Sequence, residues 1–324
     1  MHTPYGFIAF GVESRRHLVD RARTVAGYCE CDTAAILDAP SFVSAFAFPQ
    51  EMRQHLHATG TTAGYGGPVG VPSLMWDLDR DDLADALRDA ARLVDCLHDR
   101  YTIDPSALMV GFSGSKGLHL ELPIPTGVVE ASPYANLTAR HLAEEAASEA
   151  GVEIDTGIYD KVRLWRLWNT RHLHTHLHKV RLEADDLLML SPDSVRRLAA
   201  HPRDFTPPAP VFSPKLFETL AQAGREVRHR IEQRAEANAR RVYSARPLMR
   251  HTLDLIRDGC GVGERHRRLF SAAADMARYE NVEELVAAIL SEPGRDLGLP
   301  PREVDRQIAC GIRHGRGEPL GGAA

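Results

Sequence analysis

The chain has 324 residues, 44% of them hydrophobic and 26% charged, and a formal net charge of −5. That is the make-up of a globular chain long enough for one large or two ordinary domains, and no run of about 18 apolar residues is there to span a membrane. The net charge taken alone argues against a basic nucleic-acid binder. The first residues lack a basic and then apolar leader, so a cytoplasmic location is expected, with Cys29, Cys31, Cys96, Cys260 and Cys310 as reduced thiols.

Residues 5–10 read as a short apolar strand, and Ser14 as the N-cap of a helix running to about Val25. Residues 42–48 read as a buried strand stopped by Pro49, and residues 69–79, VGVPSLMWDLD, as a strand whose polar residues come last. Residues 81–101 give the clearest helix, because Leu83, Leu87, Ala90, Val94, Leu97 and Tyr101 recur at spacings of three and four. Two strands over 107–112 and 118–123 flank a Ser/Gly turn, and a helix covers 136–150. Residues 162–168 and 179–182 read as paired strands across a His-rich turn. A stretch with five prolines follows over 201–214, and everything beyond it reads as helical. The expected organisation is an α+β domain over 1–205, a Pro-rich linker over 206–213 and a helical domain over 214–324.

Three motifs carry chemistry. Trp76-Asp77-Leu78-Asp79 ends a strand, where alternation puts both acids on one face. Paired carboxylates repel unless a cation lies between them, and hard oxygen ligands suit Mg²⁺ or Mn²⁺. The plainer alternative is a strand running into an acidic helix start, with Asp81 and Asp82 at the positive end of the dipole. The second motif, Ser113-Gly114-Ser115-Lys116-Gly117-Leu118-His119, lies between two strands. Small residues let backbone N–H groups approach an anion, and Ser115, Lys116 and His119 can donate to a phosphate. It does not match the Walker A pattern. Lysine is rare, with four residues against 35 Arg, so a Lys in this turn marks a place for a compact charge. The third motif, residues 155–181, carries six basic residues against two acids, and Arg163 and Arg166 flank Trp165. That mix suits phosphates and stacked bases. His172, His174, His176 and His178 alternate; on one strand they would share a face able to bind zinc or nickel, but across a turn a solvated hairpin is expected. Cys29 and Cys31 form CxC with no second pair nearby, so structural zinc is not expected there.

Taken together and in this order, the motifs resemble the archaeo-eukaryotic primase superfamily over about residues 5–200, closest in pattern to the primase-polymerases of plasmids, phages and bacterial mobile elements. The resemblance implies an RRM-like sheet with flanking helices as the catalytic core. It also implies a small helical domain after it, opened here by Gly261-Val262-Gly263-Glu264-Arg265-His266. By carry-over, Asp77, Asp79 and Asp155 are the catalytic ligands of two divalent metals, Mg²⁺ or Mn²⁺, with no organic cofactor. Ser113, Ser115, Lys116 and His119 would bind a nucleoside triphosphate, and Arg163 and Arg166 nucleotide or template. Residues 166–179 are similar to the family's Arg…Asn-Ser/Thr-x-His…Lys-Val segment, with Trp168 where Pro is usual, which makes Asn169, Arg171, His172 and Lys179 candidate ligand contacts.

The implied function is templated nucleotidyl transfer in DNA replication, priming or extending strands on single-stranded DNA. Any helicase would be a separate chain, since no helicase ATPase motif is visible. Alternatives are an end-joining or repair-type polymerase of the same superfamily, a haloacid-dehalogenase-like phosphatase built on LMWDLDRDD, and an inactive DNA-binding replication initiator. The phosphatase reading lacks a Thr or Val soon after the acids, and the initiator reading leaves all three carboxylates unexplained. Residues 214–250 carry nine Lys/Arg against four Asp/Glu, so Arg225, Arg228, Arg230, Arg234, Arg240 and Arg241 are the expected DNA-backbone contacts.

Overall fold

The computed structural model describes residues 2–11, 16–239, 248–279 and 283–318. It divides into two compact units, one of residues 1–62 and 67–228, the other of 63–66 and 229–324. In chain order the first unit runs β1 (Tyr5–Phe10), β2 (His17–Asp20), α1 (Arg21–Cys29), β3 (Ser41–Ser44), α2 (Gln50–Thr59), β4 (Ser73–Leu78) and α3 (Leu83–Tyr101). It continues through β5 (Met109–Phe112), β6 (Leu118–Pro123), α4 (Ala135–Ala150), β7 (Leu164–Arg166), β8 (Val180–Leu182), α5 (Pro192–Leu198) and the start of α6 (Pro214–Ala239).

The α+β class holds, but the strands form two four-stranded sheets where one RRM-like sheet is expected: β2-β1-β3-β7 and β4-β6-β5-β8, with every neighbour antiparallel. Strands β7 and β8, expected to pair with each other, lie in different sheets. Strand β7 pairs with β3 (Val43 opposite Trp165) and β8 with β5 (Gly111 opposite Arg181), and of the hairpin only an isolated bridge, Arg171 to His178, remains. Strand β4 is buried throughout except at Asp77. It is anchored by the Trp76 indole N–H, which donates to the Ala143 carbonyl of α4 at 3.2 Å. Helix α3 buries the predicted stripe. Its N-cap is Asp82, which accepts from Ala84 N at 3.1 Å, so that acid serves the helix start.

Two further expectations are corrected. Ser14 lies outside the described residues, and residues 17–20 pair with β1 instead of opening a helix; α1 starts at Arg21, with Asp20 accepting from Arg23 N at 3.0 Å. The Pro-rich stretch is not a free linker, because its backbone and aromatic groups find partners in the first unit. Phe205 N donates to Cys29 O and Val211 N to Pro123 O, each at 2.9 Å, and the Phe205 ring meets Trp168 edge-on. Ser213 donates to Tyr101 O at 2.7 Å and caps α6. The division between units falls later, at Arg228, within α6.

The second unit contains α7 (Arg250–Asp258), α8 (Arg265–Met276), α9 (Glu283–Asp296) and α10 (Pro301–Arg316). These close on a core that includes Leu255, Leu269, Met276, Val286, Leu290, Val304 and Ile308. The buried Asp275 carboxylate accepts from Met249 N and Thr252 Oγ1 and so ties the start of α7 to α8. At the start of α8, Arg267 and Arg268 pair with Glu264 of their own turn, and His266 with Glu303. Among the described residues no helix is long and apolar enough to cross a membrane.

Candidate functional site

In the antiparallel β4–β6 pair Asp77 stands directly opposite His119, which brings His119 Nε2 to 3.7 Å from Asp77 Oδ1. Asp79 lies just beyond the last residue of β4 and is more exposed. Asp155 comes from a distant segment, and its backbone N–H donates to the Asp77 carbonyl at 2.9 Å. Its carboxylate accepts from Gly157 N at 2.7 Å. Arg80 locks this junction: its Nε pairs with the largely buried Asp89 of α3 at 2.7 Å, and its Nη2 donates to Glu153 O at 2.7 Å.

The turn between β5 and β6 folds back on the end of β4. Ser113 N donates to Gly117 O at 2.9 Å. Gly114 sits at φ 96°, a left-handed value that disfavours other residues. A Cβ on Gly117 would come within 2.9 Å of the Leu78 carbonyl, so glycine is what lets this turn lie against the acid-bearing strand. Lys116 Nζ reaches Asp79 at 3.6 Å and Asp81 at 3.5 Å. Thr175 Oγ1 of the His-rich loop donates to the Gly114 carbonyl, clamping that loop on the turn.

The edge strand β7 of the other sheet forms the opposite wall. The resulting cleft, about 240 Å³, is lined by Asp77, Asp79, Ser113, Gly117, His119 and His172 together with Phe42, Ile158, Arg163, Leu164, Trp165 and Arg166. Arg163 lies 4.0 Å from Asp155 Oδ2, and the Arg166 guanidinium covers the Phe42 ring at 5.3 Å. Burial dominates the electrostatics. It raises the Asp77 carboxyl to about 6, helped by Asp155 and Asp79 and opposed by Lys179 and Arg163. Burial, then Lys179 and Arg166, hold the His119 imidazole neutral at pH 7. Burial lowers Arg166 to about 10, leaving it charged. Among the described residues His119 Nδ1 and Arg166 Nη1 are buried without a hydrogen-bond partner, a cost that a polar ligand in the cleft would relieve.

No group of three His, Cys, Asp or Glu side chains among the described residues forms a ready-made metal cage. The donor chemistry nevertheless fits a hard dication. Three carboxylates come from neighbouring backbone, burial and then their mutual repulsion raise one of them, and Lys116 and Arg163 lie beside the other two.

The remaining candidates separate. His172 lines the cleft, with Nδ1 accepting from the backbone of His174 and Thr175. Ser115 is partly exposed in the turn. Asn169 and Lys179 are corrected as ligand contacts. Asn169 is fully buried at φ 62°, its amide donating to Tyr28 O and Cys29 O and its oxygen accepting from Arg203 N. Lys179 is fully buried, donating to Glu121 Oε1 at 2.9 Å and Arg166 O at 3.0 Å. Arg171 lies outside the cleft lining; its backbone N–H donates to Leu37 O. Arg225, Arg228, Arg230 and Arg234 are exposed on α6, and Arg240 and Arg241 fall outside the described residues. Sequence reading missed Phe42, Arg80 and Glu121. Only Glu121 carries a signal, since a carboxylate two residues beyond His119 in an apolar strand demands a buried partner. No family model matches the chain, and neither a curated protein nor a solved structure matches it.

Proposed function

We propose that the protein is a DNA-templated nucleotidyltransferase of the primase-polymerase type, acting on single-stranded DNA and nucleoside triphosphates. The observation that carries this reading is the convergence of three motifs, far apart in sequence, on one cleft between two sheets: the acids of β4, the Ser/Gly/Lys turn before β6 and the Arg-flanked β7. Acids and cations brought together in one cleft suit a triphosphate bound through divalent metal. Asp77, Asp79 and Asp155 would hold Mg²⁺ or Mn²⁺, which supplies activation of a 3′-hydroxyl and charge neutralisation on the leaving pyrophosphate. Lys116, Arg163 and Arg166 supply fixed positive charge to phosphate oxygens, and Ser113 and the turn backbone supply donors. His119, neutral and wedged against Trp165, contributes a hydrogen-bonding edge with no charge.

The test is incubation with single-stranded DNA, Mn²⁺ and labelled nucleotides, with and without a primer. Metal-dependent incorporation is expected, and Asp77→Ala abolishes it while the circular dichroism spectrum is kept. No incorporation by the wild-type chain in either arm, or full activity in the variant, overturns the reading. Product without primer identifies a primase, and product only with primer an extending polymerase. His119→Ala is expected to raise the Kd for nucleotide with little change in Kd for DNA; equal affinity for nucleotide removes His119 from the phosphate site.

A further inference from the structure

Behind the cleft lies a buried polar cluster that ligand contact does not explain. Glu121, 3% exposed, follows His119 by two residues on β6 and so shares its face. One oxygen of Glu121 takes two bonds: from Trp165 Nε1 at 2.7 Å, across from β7 of the other sheet, and from Lys179 Nζ at 2.9 Å. The indole fixed in this way stacks on the His119 ring, with centroids 4.0 Å apart and planes 29° from parallel. Lys179 lies over the same indole at 5.0 Å and over Trp168 at 4.1 Å, hemming both rings. The imidazole is thus held by its face against Trp165 and by one edge near Asp77, and Nδ1 is its unpartnered nitrogen.

We propose that Glu121 is a positioning residue: as the shared acceptor for Trp165 and Lys179 it fixes the indole that orients His119 in the cleft. The effect on nucleotide binding rests on the nucleotidyl-transfer reading; the orientation itself does not. A carboxylate buried only to hold the sheets together needs an ion partner but no particular indole donor. Here the indole is held at its one polar atom, which leaves the ring no freedom to turn away from the imidazole.

Two uncharged double variants differ in whether that acceptor is present. Glu121→Gln with Lys179→Met removes both charges and keeps an oxygen for the indole N–H. Glu121→Leu with Lys179→Met removes both charges and the acceptor. The readout is the His119 ring-proton resonance, assigned by its loss in His119→Gln and moved upfield in the wild-type chain by the stacked indole. A second readout is the Kd for nucleoside triphosphate with Mn²⁺. The Gln/Met protein is expected to keep the upfield shift and an affinity within about twofold of wild type. The Leu/Met protein is expected to lose the shift and bind about tenfold more weakly, the lower end of the scale seen when a hydrogen-bonded support is removed from a metal-ligating side chain. A folded Leu/Met protein that keeps the shift, or equal losses in both, overturns the proposal. If neither double variant folds, Trp165→Phe keeps the ion pair, deletes the donor and shortens the stacked ring; loss of the His119 upfield shift together with a drop of about tenfold in affinity supports the proposal, and a kept shift or unchanged affinity overturns it. Should wild type bind no triphosphate while the resonances behave as expected, the functional reading fails and the positioning role stands.

Discussion

Asp77 is the residue on which the electrostatics of the cleft turn. Its folded-state pKa of about 6 lies above its usual 3.8, so between these values the folded chain holds more protons than the unfolded one. Stability therefore falls as pH rises through that window, and above about pH 6 the ionised carboxylate is a standing cost of up to about 3 kcal/mol. Asp77→Asn removes it. The variant is expected to melt higher than wild type at pH 7.5, with the advantage vanishing near pH 4; thermal melts across pH check this, and a lower Tm at pH 7.5 contradicts it. Mn²⁺ is expected to raise the Tm of wild type and far less that of Asp77→Asn, because a cation at this site would offset the cost of the buried, ionised carboxylate.

At the scale of elements, the site depends on how β4, α3 and the segment before Asp155 are joined. Arg80 makes that junction with one guanidinium, pairing with Asp89 and donating to the Glu153 carbonyl from different nitrogens. Arg80→Ala leaves Asp89 with Arg92 as its ion partner and is expected to cost about 2 kcal/mol in urea unfolding. It is also expected to release the segment that presents Asp155 and, if the three acids hold metal as proposed, to lower Mn²⁺ affinity. Arg80→Lys keeps the charge but lacks the fork and is expected to lose metal affinity as well. Full metal affinity in both variants contradicts the role.

At the scale of the molecule, the net charge of −5 conceals a basic segment. On α6 Leu216, Leu220, Ala223 and Val227 are buried, while Arg225, Arg228, Arg230 and Arg234 are each exposed. Replacing these four arginines with Ala is expected to lower the slope of log K against log salt for single-stranded DNA by up to about 3, at roughly 0.7 per phosphate contact. An unchanged slope removes these arginines from the expected phosphate contacts.

Local pattern alone determined much of this protein. Helix α3 and strands β4, β5 and β6 follow from apolar spacing, and the cleft-lining Asp77, Asp79, Ser113, His119, Arg163 and Arg166 were all legible as motifs. Each of those signals is contained in a few consecutive residues. Tertiary structure decided the rest. Strand β7 turns to β3 and β8 to β5, so a hairpin written in the sequence is split between two sheets. That split carries Trp165 across to Glu121 and makes Lys179 and Asn169 buried supports in place of ligand contacts. Strand partners and burial are set by contacts between residues tens of positions apart, and neither periodicity nor motif spacing records which of several compatible strands will pair.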